Sequence, residues 1–177
     1  FSRGIEYNPT QLSIIESIPI NRLMLSSQQQ LLEISAIFRL KKLKELTFVN
    51  LPLWKQLASN VNNLEQLEEL YIIRTGLTKL PESIGQLKKL RKLHLKQNQI
   101  NSLPNGFGQL NQLEELIISQ HQTISIPASI GHLKKLEHLS IYIWGNGQIL
   151  FPDLACTLLA ITTFHLRCPQ LKEIPLF

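Results

Sequence analysis

A unit of 23 residues returns three times in close spelling: LEELYIIRTGLTKLPESIGQLKK from Leu67, LRKLHLKQNQINSLPNGFGQLNQ from Leu90 and LEELIISQHQTISIPASIGHLKK from Leu113. A fixed period of this length, built on leucines, constrains the fold more than any other feature of the chain. One such unit is too short to bury its own apolar side, so it must stack on a neighbour. Stacked copies make a solenoid with one long face available for binding.

Numbering places from the first leucine of a unit, Leu67, Leu70, Ile72, Leu77, Leu80, Pro81, Ile84 and Leu87 fill places 1, 4, 6, 11, 14, 15, 18 and 21. The frame extends backwards through Leu43, Leu46 and Phe48 to Ile20, Leu23 and Leu25. Forwards it runs through Leu136, Leu139 and Ile141 to Ile161, Phe164 and Leu166. Two steps are longer than 23: Leu43 to Leu67 is 24 and Leu136 to Ile161 is 25. One residue is therefore inserted near Trp54 and two around Trp144 to Gly147. Seven units are visible, the last cut short at Phe177.

Each place has a physical reason. Places 4 and 6 put two side chains on one face of a strand, and places 3, 5 and 7 lie on the other. Pro at place 15 forces extended geometry on the residue before it and can open a short helical turn. Gly85, Gly108 and Gly131, all at place 19, suit either positive φ or close backbone approach.

From about Ile20 to Pro175 the chain resembles the leucine-rich repeat family, in the spelling LxxLxLxxNxLxxLPxxIGxLxx. The units look most like the repeats of bacterial proteins such as those of spirochaetes and Bacteroidetes, and are also similar to the Ras-group repeats of eukaryotes. The resemblance implies an α/β solenoid, a right-handed superhelix with a parallel sheet on its concave side and loops or short helices on its convex side. The three central units are apolar at nearly every leucine place; Thr123 at place 11 is the exception. The family keeps Asn at place 9, where its amide bonds to the turn and to the next unit. Here that place reads Gln28, Leu51, Thr75, Asn98, His121, Trp144 or Asn146, and Pro169. With only Asn98 in place, less regular turns are expected.

At 177 residues and 44% hydrophobic, the chain can form one elongated core. Residues 20–177 are read as the repeat domain. Residues 1–19, with Leu12, Ile14, Ile15 and Ile18, are read as an N-terminal cap, or alternatively as a degenerate repeat. The span starts at Phe1 and suggests a fragment, a processed form or the ordered part of a longer protein; it shows no signal-peptide pattern. No run of 18 apolar residues exists, so no membrane span is expected. Cys156 and Cys168 fall at opposite ends of the strand layer, and no disulfide is expected between them. Cysteine-rich caps and N-x-[ST] acceptors are both missing. A typical animal ectodomain is thereby disfavoured, and a bacterial secreted or an intracellular setting fits better.

The net charge of +5 invites a nucleic-acid reading. Its distribution argues otherwise. Lys41-Lys42, Lys88-Lys89 and Lys134-Lys135 occupy places 22 and 23 in alternate units, interrupted by Glu65-Gln66 and Asn111-Gln112. Glu68, Glu69, Glu114, Glu115 and Glu137 stand beside that row, and no aromatics interleave it. A mixed, solvated rim is expected, with no nucleic-acid partner. His94 and His138 lie two strands apart, roughly 10 Å at about 4.8 Å per strand, too far for a shared zinc ion. His138 and His165 lie on neighbouring strands but lack a third ligand. Cys168 near His165 lacks an orienting acid. With no catalytic motif present, neither an enzyme, a metal nor a cofactor is expected.

The expectation is a monomeric protein–protein interaction module that binds a protein partner through its concave face. The alternatives are a substrate-recognition domain of a larger enzyme (a ubiquitin-ligase-like effector) and a cell-surface adhesin. The candidate binding residues are Tyr71, Ile73, Arg74, Lys92, His94, Lys96, Ile117 and Tyr142. Apolar and aromatic groups at outward strand places, rimmed by charge, are what a partner site needs.

Overall fold

A computed structural model describes residues 20–26, 34–51, 57, 59–151 and 160–171. Numbered in chain order, its strands are β1 (Arg22–Ser26), β2 (Glu45–Val49), β3 (Glu69–Ile73), β4 (Lys92–Asn98), β5 (Glu115–Gln120), β6 (Ile124–Ser125), β7 (His138–Ile143), β8 (Ile149–Leu150) and β9 (Thr163–Arg167). Seven of them, one per unit, form a single parallel sheet in the order β1-β2-β3-β4-β5-β7-β9. The short β6 and β8 pair in a second strip further along the units.

The register follows the leucine frame across both unequal steps. Leu46, Leu70, Leu93, Leu116, Leu139 and Phe164 align at place 4, and Phe48, Ile72, Leu95, Ile118, Ile141 and Leu166 at place 6. From β2 to β7 these side chains are fully buried. Period-2 alternation in a parallel sheet requires this, because one face packs on the core and the other does not.

Among the described residues the return segments run through five 3-10 turns: Ile34–Arg39, Ser59–Asn63, Glu82–Gln86, Asn105–Gln109 and Ala128–His132. Among the described residues no α-helix occurs. Pro81, Pro104 and Pro127 each precede a turn in extended geometry, with ψ of 155°, 158° and 153°. At place 19, Gly85 and Gly108 answer to close approach, and none of the three glycines there has positive φ. A Cβ on Gly85 would lie 1.9 Å from the Gly106 carbonyl oxygen, and one on Gly108 would lie 2.3 Å from that of Ser129. The turns stack backbone on backbone, and a side chain there would push them apart.

The two-residue insertion is confined to a short span. Ile143 still pairs with Gln120 at 23 residues, while Ile149 pairs with Ile124 at 25. Gly145 has φ +69°, and a Cβ on Gly147 would meet the His121 carbonyl oxygen at 2.5 Å. The insertion near Trp54 and the cap over residues 1–19 lie outside the described residues, as does Cys156.

Place 9 does not hold one role throughout. Asn50, Arg74 and Gln97, all at place 8, have φ near +54° (54°, 53° and 54°) and point outward, exposed. Leu51, Thr75 and Asn98 at place 9 then turn into the core. From β5 onwards the strand continues without that kink. Asn98 pairs with Gln120 across a bulge, so Gln120 and Ile143 at place 8 are buried, and His121 at place 9 is exposed. The resemblance put the family's asparagine at place 9 and the departures there led to an expectation of less regular turns; in the later units the inward role passes to place 8.

The polar ladder is accordingly longer than the asparagine count suggests. The Asn98 amide oxygen accepts from the Thr75 N–H at 3.1 Å and the Thr75 hydroxyl at 2.9 Å, and its nitrogen donates to the Ile72 carbonyl at 2.8 Å. Gln120 donates to the Ile100 carbonyl at 2.6 Å and accepts from the Ile100 N–H at 3.1 Å. Both amides reach back to the preceding unit, not forward to the next. Thr123 is exposed, and Ile124, one place later, fills the core position it leaves vacant.

Candidate functional site

The outward face of the sheet carries places 3, 5 and 7 of every unit. At its centre Tyr71 and His94, paired in register, meet edge to face with ring centroids 4.8 Å apart. The Tyr71 hydroxyl donates to Glu69 at 2.5 Å, and Lys92 pairs with the same carboxylate at 3.1 Å. His94 Nε2 meets Glu115 Oε1 at 3.0 Å. Five side chains on three strands thus hold one another in place.

Their electrostatics follow from these contacts. Burial and the Glu69 carboxylate raise the Tyr71 phenol far above its ordinary range, so it stays a donor. That donation, helped by Lys92, lowers Glu69 against a smaller opposing effect of burial. Burial lowers His94, an effect Glu115 opposes and Lys96 and Lys92 reinforce. At neutral pH the centre presents a neutral imidazole among fixed charges.

The other expected residues fall around this centre. Ile73, Lys96, Ile117 and Tyr142 lie on the same face, and Tyr71, Ile73, Ile117 and Tyr142 are half-buried, not fully open. Neighbouring columns cover their flanks. Arg74 sits one residue beyond β3 in its left-handed conformation and donates to Gln97. Thr47 and Ser140, at outward place 5, are buried despite facing away from the core, each beside a ring in the next column: Tyr71 and His165. Among the described residues the exposed large apolar groups are instead Met24, 66% exposed on β1, and Leu150, 49% exposed on β8.

The kink-free later units expose a cluster that sequence reasoning missed. Trp144 lies beside Tyr142 with ring planes 15° apart and centroids at 6.5 Å, and the Arg167 guanidinium sits 4.5 Å above the indole. The indole N–H donates to Ser119 at 3.2 Å. Apolar Ile143 at place 8 was the available signal, since it marks the shift that turns place 9 outward. The place-22 and place-23 lysines behave as a solvated rim: Lys89 donates to Gln66 at 2.5 Å and Lys135 to Gln112 at 2.6 Å. Among the described residues no group of three or more His, Cys, Asp or Glu could hold a metal ion, and no helix is long and apolar enough to cross a membrane.

A family model described as a leucine-rich repeat region matches residues 13–168. The chain belongs to the leucine-rich repeat family. Among solved structures, a leucine-rich repeat protein of Leptospira interrogans is similar at 23% identity and a TM-score of 0.50. That similarity covers 81% of this chain and 40% of the other, so the chain spans less than half of that protein. No curated protein matches the sequence. For a leucine-rich repeat chain, protein interaction is the general expectation.

Proposed function

We propose that this chain is a protein-interaction module that holds a polypeptide partner on the outward face of its sheet. The contact set is Tyr71, Ile73, Arg74, Lys92, His94, Lys96, Ile117 and Tyr142. One observation carries the reading: half-open apolar groups alternate with charged ones across adjacent columns, and among the described residues no element packs over them. Such a mixture suits a partner with both apolar anchors and polar rim contacts. In this reading the chain is a monomer and binding is its whole activity.

The test is calorimetry with a partner isolated by affinity capture on the intact chain. Tyr71→Ala or Tyr142→Ala should weaken binding by roughly 1–3 kcal/mol while the circular dichroism stays unchanged. Unaltered affinity in the folded double variant would move the site to the rim or to the 144–147 loop.

A further inference from the structure

Charges on the sheet side are distributed unevenly along the strands. At places 2 and 3 acids and bases neutralise one another: Lys44 pairs with Glu68 at 2.8 Å, Arg91 with Glu114 at 2.9 Å, Lys92 with Glu69 at 3.1 Å, and Arg22 with Glu45. From place 7 to place 10, at the C-terminal ends of the strands, no Asp or Glu occurs among the described residues. Arg74, Lys96 and Arg167 stand there instead. Among the described residues none of the three has a carboxylate partner. Arg74 bonds to an amide and Arg167 rests on an indole.

We infer that this strip, with Tyr142 and Trp144 set between its cations, takes an acidic polypeptide segment. The inference rests on the sheet face being a protein-binding surface and adds the chemistry of what binds there. Charge complementarity is the first argument, because three cations in one row repel one another until an anion neutralises them. Spacing is the second. Lys96 on β4 and Arg167 on β9 are three strand steps apart, about 14 Å at about 4.8 Å per step. An extended chain rising about 3.3 Å per residue covers that distance in about four residues. Carboxylates four apart would therefore reach both cations.

The aromatic cluster favours a polypeptide over a nucleic acid or a glycan. A base or a pyranose needs a free ring face on which to stack. The indole of Trp144 already carries Arg167, lies beside Tyr142, and spends its N–H on Ser119. The rim lysines are no rival: they stand at places 22 and 23, before the N-terminal ends of the strands, and Lys89 and Lys135 share that edge with the carboxylates of Glu68 and Glu114.

The test uses the full chain and two fluorescein-labelled peptides of about twelve residues, one with glutamate at every fourth position and one with glutamine there. The glutamate peptide should bind about tenfold or more tightly than its glutamine counterpart, and high salt should weaken it. Binding should alter tryptophan fluorescence in the native protein but not in Trp144→Phe. Lys96→Glu with Arg167→Glu should abolish binding, and Lys96→Gln with Arg167→Gln should reduce it if the charge reversal disturbs folding. Lys88→Glu with Lys135→Glu should leave it unchanged. The inference is overturned if the two peptides bind equally, if the Lys96/Arg167 variants keep full binding, or if single-stranded RNA or a sulfated polysaccharide binds in preference. Should the glutamate peptide not bind while a captured partner still depends on Tyr71 and Tyr142, the acidic chemistry fails and the protein-binding face stands. Should the captured partner ignore both tyrosines, the broader reading fails on its own.

Discussion

The units that start at Leu43, Leu67 and Leu90 and those that start at Leu113 and Leu136 share their leucines but leave their strands differently. In the first group a left-handed residue at place 8 kinks the chain and sends place 9 into the core. In the second the strand runs one residue further straight, and place 8 is itself buried. The unit at Leu113 recovers the lost residue before Ile124, and Ser102 and Ser125 are back in step at place 13. A period of 23 therefore fixes where the turns stack without fixing how the chain leaves the sheet. The core leucines and the strand exits are separable features.

The largest expected effect tests the shared part. Leu93 and Leu116 are both fully buried at place 4, one in each group. Changing either to Ala should cost about 2–5 kcal/mol in chemical denaturation, with similar values for the two. A large disparity would mean that the exits influence the core after all.

A smaller effect separates the groups by their amides. Asn98→Ala strands the Thr75 N–H and the Ile72 carbonyl in a buried site, at a cost of about 1–3 kcal/mol for each unsatisfied group. Gln120→Asn should also destabilise, because the shorter side chain no longer spans to Ile100. If Gln120→Asn proved neutral, the ladder across the change of exit would carry no stability.

Glycine at place 8 sharpens the contrast by sign. Gln97→Gly removes a side chain from a left-handed position and should be neutral or stabilising. Gln120→Gly, in extended backbone and with its ladder bonds lost, should destabilise by more than about 1 kcal/mol. Melting temperatures of the two variants give the comparison directly, and equal signs would refute the two-exit description.

The smallest effect concerns pH. Burial holds His94 below the ordinary histidine value of 6.5, so the native protein binds fewer protons there than the unfolded chain. Stability should then rise with pH through the histidine range and be lost as pH falls below the unfolded value. Glu69, lowered chiefly by the Tyr71 hydrogen bond, adds the same sign of dependence at more acid pH, below its ordinary 4.5. Denaturation midpoints for His94→Gln should show a flatter dependence between about pH 7 and pH 5 than the native chain. An unchanged slope would remove His94 from the account.

Much of this architecture is legible in the sequence, because leucine spacing reports directly on burial. The frame placed the strands of the main sheet in register from place 3 to place 7, including the steps of 24 and 25, and put the two-residue insertion within the span from Ile143 to Ile149. The exits were not legible. Whether Gln97 or Asn98 faces the core depends on one backbone torsion, and neither residue type forces it. The candidate site suffered from the same gap. Place put Tyr71 and His94 on the outward face, but Trp144 was assigned a turn position and its contact with Arg167 went unseen. Nor did place alone show that Thr47 and Ser140 would be covered by their larger neighbours.

The kink at Gln97 has a consequence for how such an array can grow. A unit copied from the Leu67 or Leu90 type can be inserted among its own kind, since each presents place 9 to a neighbour that does the same. Inserted after the Leu113 unit, it would set an inward place 9 behind an inward place 8, the reverse of the Asn98–Gln120 order, and its amide would reach back out of step with the carbonyl before it. The array is thus free in length on either side of that boundary and restricted in order across it, much as a screw can be lengthened but not spliced to one cut at a different phase.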